Sequence, residues 1–151
     1  MEKTQVKRLA LVVEGTTGHA HMILDALGRD DPACEVVLKD DGLEALDYLL
    51  CRGAYAGRDV HIMPCVILVD LALSPSDGLG LLREIRAHEQ TRLLPVVVFS
   101  SVEEHPRADA IYASGANSYI AIRPGFELFE ESIRQVAQYW CVVNDPPPPL
   151  L

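Results

Sequence analysis

With 151 residues, 49% of them hydrophobic, the chain has the size of one compact domain and enough apolar material for a core, which excludes global disorder. Its formal net charge of −9, with no Lys/Arg cluster, argues against nucleic-acid binding. No apolar run approaches the roughly 18 residues that span a bilayer, and the N-terminal MEKTQVKRLALVVEG carries Glu2 among its basic residues and breaks at Glu14, so it reads as a first strand, not a secretory signal.

Apolar runs and helical periodicities alternate along the chain. Leu9 to Val13 (LALVV) reads as the first strand, followed by Glu14 and the loop GTTGH. Ala20 to Leu27 has helical spacing through Ala20, Ile23, Leu24 and Leu27, and Cys34 to Leu38 is a short second strand. Gly42 to Leu50 predicts a helix with Leu43, Ala45, Leu46 and Leu49 as its inner stripe. A loop over Arg52 to His61 leads to the third strand, Cys65 to Val69. Gly78 to His88 is the next helix, with Asp77 as its N-cap. Pro95 to Phe99 is the fourth strand, Pro106 to Ser114 a weak helix, and Ser118 to Ile122 the fifth strand. Phe126 to Val143 is a long final helix, and Pro146 to Pro149 end regular structure. The division this implies is a domain over 1–143 and a Pro-rich tail over 144–151. The four cysteines are far apart in sequence with no CxxC pair, which fits reduced thiols in a cytoplasmic protein better than zinc or a disulfide framework.

Strands that alternate with helices imply an α/β fold, a doubly wound (βα)5 parallel sheet. Its commonest five-strand solution is the flavodoxin-like order 2-1-3-4-5, with a switch point between strands 1 and 3. That geometry brings together the residues that follow strands 1, 3 and 4: Glu14, Asp70 and Ser100. The stretch VILVDLALSPSDG ends an uninterrupted apolar run on a carboxylate, Asp70, which reads either as the start of a turn or as a site at the carboxyl edge of the sheet. Two carboxylates at one edge repel unless a cation lies between them, and Mg²⁺ suits such a site. A carboxylate can also attack phosphorus, and a hydroxyl such as that of Ser100 can bind a phosphoryl oxygen. The simpler alternatives are a solvated loop acid for Glu14, a loop-capping hydroxyl for Ser100 and an ordinary core aromatic for Tyr119.

Over Arg8 to Val143 the chain resembles the response-regulator receiver domain, the CheY-like version of this fold. VILVDLALSPSDGLGLLREIR resembles the strand, loop and helix that carry the family's phosphoacceptor aspartate. In LLPVVVFSS, Ser100 lies 30 residues after Asp70, as the family's Ser/Thr does, and in GANSY Tyr119 lies 19 residues further on, at the position of the switch aromatic. FELFEESIRQVAQYWCVVNDPPP is similar to the ending of phytochrome-associated single-domain response regulators. The resemblance implies phosphoryl transfer from a sensor histidine kinase, a phytochrome among the candidates, onto Asp70. It also implies Mg²⁺ held by Glu14, Asp70 and the Ala72 backbone carbonyl.

Two positions depart from the pattern. Gly15 stands where the family has its second acid, which implies weak or absent Mg²⁺ binding. Ile122 stands where the family has its Lys, and Arg123 follows one place later, able to contribute charge only through a shift in the strand. The sequence therefore leaves two functions open: a stand-alone receiver phosphorylated on Asp70, and a degenerate receiver that acts as a phosphorylation-independent interaction module. Neither is an enzyme with its own substrate, and a hydrolase is set aside for want of a nucleophile elbow. A third idea, that Gly15-Thr16-Thr17-Gly18 cradles a flavin phosphate, lacks aromatic walls in the loops after strands 3 and 4.

In the final helix Phe126, Phe129, Ile133, Val136, Trp140 and Val143 form the seam expected against the sheet. Leu128, Tyr139 and Val142 add a second apolar strip. Tyr139, Trp140 and Val142 are therefore expected to form a partner surface, with a twofold homodimer the simplest way to cover it.

Overall fold

The structure, a computed structural model, describes residues 8–15, 23–27, 34–71, 75–101, 108–122 and 126–148, apart from the side chains of 75–77, 101 and 126–129. Strands β1 (Arg8–Val13), β2 (Cys34–Lys39), β3 (Val66–Asp70), β4 (Val96–Ser101) and β5 (Ser118–Ile122) form one parallel sheet. Their order is β2-β1-β3-β4-β5, as the sequence predicts. Helix α1 is seen over 23–27. It is followed by α2 (Gly42–Leu50), α3 (Pro75–Ala87), α4 (Ala108–Ala113) and α5 (Phe126–Ala137). A 3₁₀ turn occupies Gly53–Tyr55, and a π-helical turn, Gln138–Val143, prolongs α5. No helix among the described residues is long and apolar enough to cross a membrane.

The central strands β1, β3 and β4 are uninterrupted apolar runs because both of their faces are covered. Alternation then splits the core in two. Leu11, Val13, Ile67, Val69, Val96 and Val98 pack with Leu46 and Leu49 of α2 and Leu82 and Ile85 of α3. Ala10, Val12, Val66, Leu68, Val97 and Phe99 pack on the other face with Ile23 and Leu27 of α1 and Ile133 of α5. The edge strands β2 and β5 are only partly covered.

Three local expectations are corrected. Helix α3 starts at Pro75, so Asp77 lies in its first turn and is not its N-cap. Proline suits that turn, whose N–H groups have no partner within the helix. In α2 the Asp41 side chain accepts from Glu44 N and fixes the helix start, and Tyr48 joins Ala45, Leu46 and Leu49 inside. Leu43 is left exposed on the flank instead of in the inner stripe. In the final helix Val143 is 62% exposed and Cys141 is buried in its stead. The cause is the π-helical turn, which bonds Asn144 N to Tyr139 O. The wider i→i+5 winding lines up positions four apart, so Ile133, Ala137 and Cys141 face the sheet. The Phe126, Leu128 and Phe129 side chains lie outside the described residues.

Candidate functional site

Strand register sets the geometry of the carboxyl rim. Val13 pairs with Val69, so Glu14, the residue after β1, comes next to Asp70, the last of β3. Asp70 pairs with Phe99, which puts Ser100 one step further along β4, and Ser100 pairs with Ala121 of β5. Three residues distant in sequence thus share one edge. They are buried there, Glu14 at 2% exposure and Asp70 and Ser100 at 1%.

The faces differ. Glu14 N still bonds Lys39 O, so the β1 ladder runs through Glu14. Alternation from Val12 and Leu68 then places Glu14 and Asp70 on the α1/α5 side of the sheet. Ser100 follows Val96 and Val98 on the α2/α3 side, where Tyr119 also packs. The Ser100 and Tyr119 hydroxyls are 3.1 Å apart, within hydrogen-bond reach. Ile122 packs with Ile120 on the α1/α5 side, so the residue in the place of the family's Lys brings an apolar group to the face of the carboxylates.

The site's electrostatics follow from this placement. Two carboxylates end adjacent strands on one face in a desolvated setting, where like charges interact strongly. Lys39 of β2 is at the same rim but belongs to the other face. Its ammonium sits 4.6 Å from the Tyr55 ring centroid and 3.7 Å from Glu44 Oε1, and its pKa is raised, chiefly by the hydrogen bond to Tyr55. Among the described residues no group of three His, Cys, Asp or Glu is placed to hold a metal ion. The donor set there is two hard anionic carboxylates, which fits a hard divalent cation with much of its water retained.

One positioning element had no counterpart in the sequence reading. Gly78 of α3 lies so close to the residue after β3 that a Cβ on it would meet Leu71 Cδ2 at 2.6 Å. Leu71 directly follows Asp70 and is itself buried. The turn-rich composition of the loop signalled a glycine there, but not the close approach. Ala72, Arg123, residues 16–18 of the GTTG loop, and Glu103 and Glu104 lie outside the described residues. Tyr139 and Val142 are exposed as expected, while Trp140 is half-buried against the α5 side of the core and packs edge-on against Tyr139 with ring centroids 4.9 Å apart.

Comparison with known proteins gives a consistent picture. The chain is 30% identical over 141 residues to FilR2 of Methanothrix harundinacea, a probable methanogenesis regulatory protein, covering 93% of this chain and 88% of that one. The phosphorylated cyanobacterial phytochrome response regulator RcpA superposes with a TM-score of 0.81 at 28% identity, over 94% of this chain and 99% of RcpA. The Mn²⁺-bound form of response regulator Rcp1, a protein of Synechocystis, superposes with a TM-score of 0.80 at 25% identity, over 93% of this chain and 99% of that structure. No protein-family model matches the chain.

Proposed function

The chain belongs to the response-regulator receiver family of two-component signalling, and on that premise we propose that Asp70 is its phosphoacceptor. The observation that carries this reading is the strand register, which lines up Glu14, Asp70 and Ser100 at one buried rim. In the step proposed, a carboxylate oxygen of Asp70 attacks the phosphorus of a phosphohistidine on a sensor kinase. An O–P bond forms, the N–P bond breaks and the imidazole leaves. The Ser100 hydroxyl, released from Tyr119, donates to a phosphoryl oxygen. Glu14, Asp70 and the Ala72 carbonyl would hold Mg²⁺, whose charge, when bound, offsets that of the carboxylates and the phosphoryl oxygens. Gly15 supplies no third acid, so this binding is weak. Arg123 is proposed as a source of positive charge in place of the absent Lys.

The kinase partner is proposed to be a phytochrome, by likeness to RcpA. Residues 1–143 form the receiver in this reading, 144–151 a tail, and Tyr139, Trp140 and Val142 the surface of a homodimer, with protein contact as the output in the cytoplasm. A small-molecule phosphodonor with Mg²⁺, followed by intact mass, tests Asp70. One phosphoryl group is expected on the native chain and none on Asp70→Asn. A native chain that stays unmodified at high Mg²⁺ and phosphodonor would overturn the proposal. It would favour a receiver that signals without phosphate, the reading that Ile122 on the carboxylate face supports.

A further inference from the structure

Three of the four cysteines meet at the amino rim of the sheet, the end opposite Asp70. Cys34 opens β2, Cys65 precedes β3 and bonds through its N–H to Leu9 O, and Cys141 comes down from the π-helical turn. None of the three is in a disulfide, and they are exposed by only 5%, 3% and 3%. Cys141 Sγ lies 3.2 Å from Cys34 Sγ and 3.3 Å from Cys65 Sγ. Thiolates that share a tetrahedrally bound metal at bonds of about 2.3 Å stand nearly 4 Å apart, so these closer contacts suit sulfur–sulfur chemistry better than metal binding. Cys51 stays apart, its Sγ 3.1 Å from an Arg58 guanidinium nitrogen.

We propose that the trio is an oxidative modification site in which Cys141 forms a disulfide with Cys65, with Cys34 as the alternative partner. Cys141 is the member in contact with both others, so it is common to either bridge. The two partners differ in readiness. The hydrogen bond with Cys141 holds the Cys65 thiol below its usual pKa against the opposing effect of burial, and Arg8 adds to the lowering. Cys141 is pushed up by its bonds to Cys34 and Cys65 and then by burial, so it gives up its proton only as it reacts. In the order proposed, Cys65, whose Sγ is 3.3 Å from Cys141 Sγ, is the attacking sulfur, and Cys141, which touches both neighbours, is the resolving one.

The oxidant is a hydroperoxide, with hydrogen peroxide the simplest. The Cys65 thiolate attacks one peroxide oxygen. An S–O bond forms, the O–O bond breaks, and the hydroxide that leaves is neutralised to water by the proton Cys65 released on becoming a thiolate. Cys141 sulfur then displaces the hydroxyl of the sulfenic acid. The S–S bond forms, the S–O bond breaks, and the hydroxyl leaves with the Cys141 proton as a second water. Two thiols are oxidised and one peroxide is reduced. Burial makes the first step slow, and Arg8 holds the turn that carries Cys141 by donating to Cys141 O at 2.9 Å and Asn144 O at 2.8 Å.

The test is peroxide treatment of the folded full chain, alkylation of the remaining thiols, and peptide mapping without reduction. A Cys65–Cys141 link is expected, with loss of two hydrogens from the monomer mass and Cys51 alkylated. Cys141→Ser should lose every internal link, and Cys65→Ser should shift the link to Cys34–Cys141, which keeps the test alive if Cys141→Ser fails to fold. Three alkylated thiols at Cys34, Cys65 and Cys141 after oxidation, a link through Cys51, a Cys34–Cys65 link, or no link in folded Cys65→Ser would each overturn the proposal. None of these outcomes depends on whether Asp70 is phosphorylated.

Discussion

At the amino ends of the strands, Arg86 of α3 donates hydrogen bonds to Gly115 O, Arg92 O, Leu94 O and Asn117 Oδ1, and Arg8 donates to Cys141 O and Asn144 O. At the carboxyl ends, Glu14 and Asp70 bring two like charges side by side. The same sheet therefore gathers charge-assisted bonds at one rim and neighbouring buried carboxylates at the other. At the amino rim the two arginines tie loop carbonyls together, most of them in part-buried bonds. The carboxyl rim gathers buried carboxylates, which is what the proposed site for a cation and a phosphoryl group would require. Substitutions at the two rims should then shift stability in opposite directions.

The largest effect is expected from Arg86→Ala. It removes the donor that ties α3 to the loops before β4 and β5, and Asn117 Oδ1, which also accepts from Val96 N, loses its orienting partner. Loss of about 3 kcal/mol is expected in urea unfolding, as for removal of a charged donor that serves four acceptors, two of them in part-buried bonds. A loss under about 1 kcal/mol would show that the amino rim is not held this way. Gly78→Ala comes next. The added methyl must push aside the end of the buried Leu71 side chain, at a net cost of about 1 kcal/mol after the helical gain of Ala over Gly. Because Leu71 follows Asp70, the phosphorylation rate should fall along with stability. An unchanged rate would mean that α3 does not position the acceptor.

At the carboxyl rim the sign reverses. Asp70→Asn removes one of two neighbouring buried charges, and without divalent cations it should stabilise the chain by about 1 kcal/mol. Adding Mg²⁺ should raise the melting temperature of the native chain and not that of Asp70→Asn, by mass action on the native state. Gly15→Asp, which restores a third acid, should tighten Mg²⁺ roughly tenfold, worth about 1.4 kcal/mol. If Asp70→Asn is destabilised at every Mg²⁺ concentration, the contrast between the rims fails.

Much of this architecture is written in local sequence. Runs such as Val66 to Val69 and Val96 to Val98 are apolar without alternation because both faces of a central strand are buried, and the strand order follows from few allowed crossovers. Glu14, Asp70 and Ser100 are legible for the same reason: each is the first polar residue after such a run. What local pattern misses is geometry set by another element. Val143 fits an α-helical seam, but the π-helical turn rotates it outward and Cys141 inward. Asp77 resembles a cap, yet Pro75 starts the helix earlier. The three thiols come from segments that neither neighbour each other in sequence nor share a period, so no spacing rule brings them together.

The smallest effect separates the two roles of the Ser100 hydroxyl. Its contact with Tyr119 spans β4 and β5, and a hydrogen bond of this kind contributes about 1 kcal/mol. Tyr119→Phe and Ser100→Ala should therefore cost similar, small amounts of stability. Their chemistry should diverge. Tyr119→Phe frees the Ser100 hydroxyl, so phosphorylation with a small-molecule donor should proceed at the native rate or faster. Ser100→Ala removes the donor to the phosphoryl oxygen and should slow it tenfold or more, about 1.4 kcal/mol in the barrier. Equal rates for both variants would leave the serine a link between two strands, and Asp70 would have to act without it.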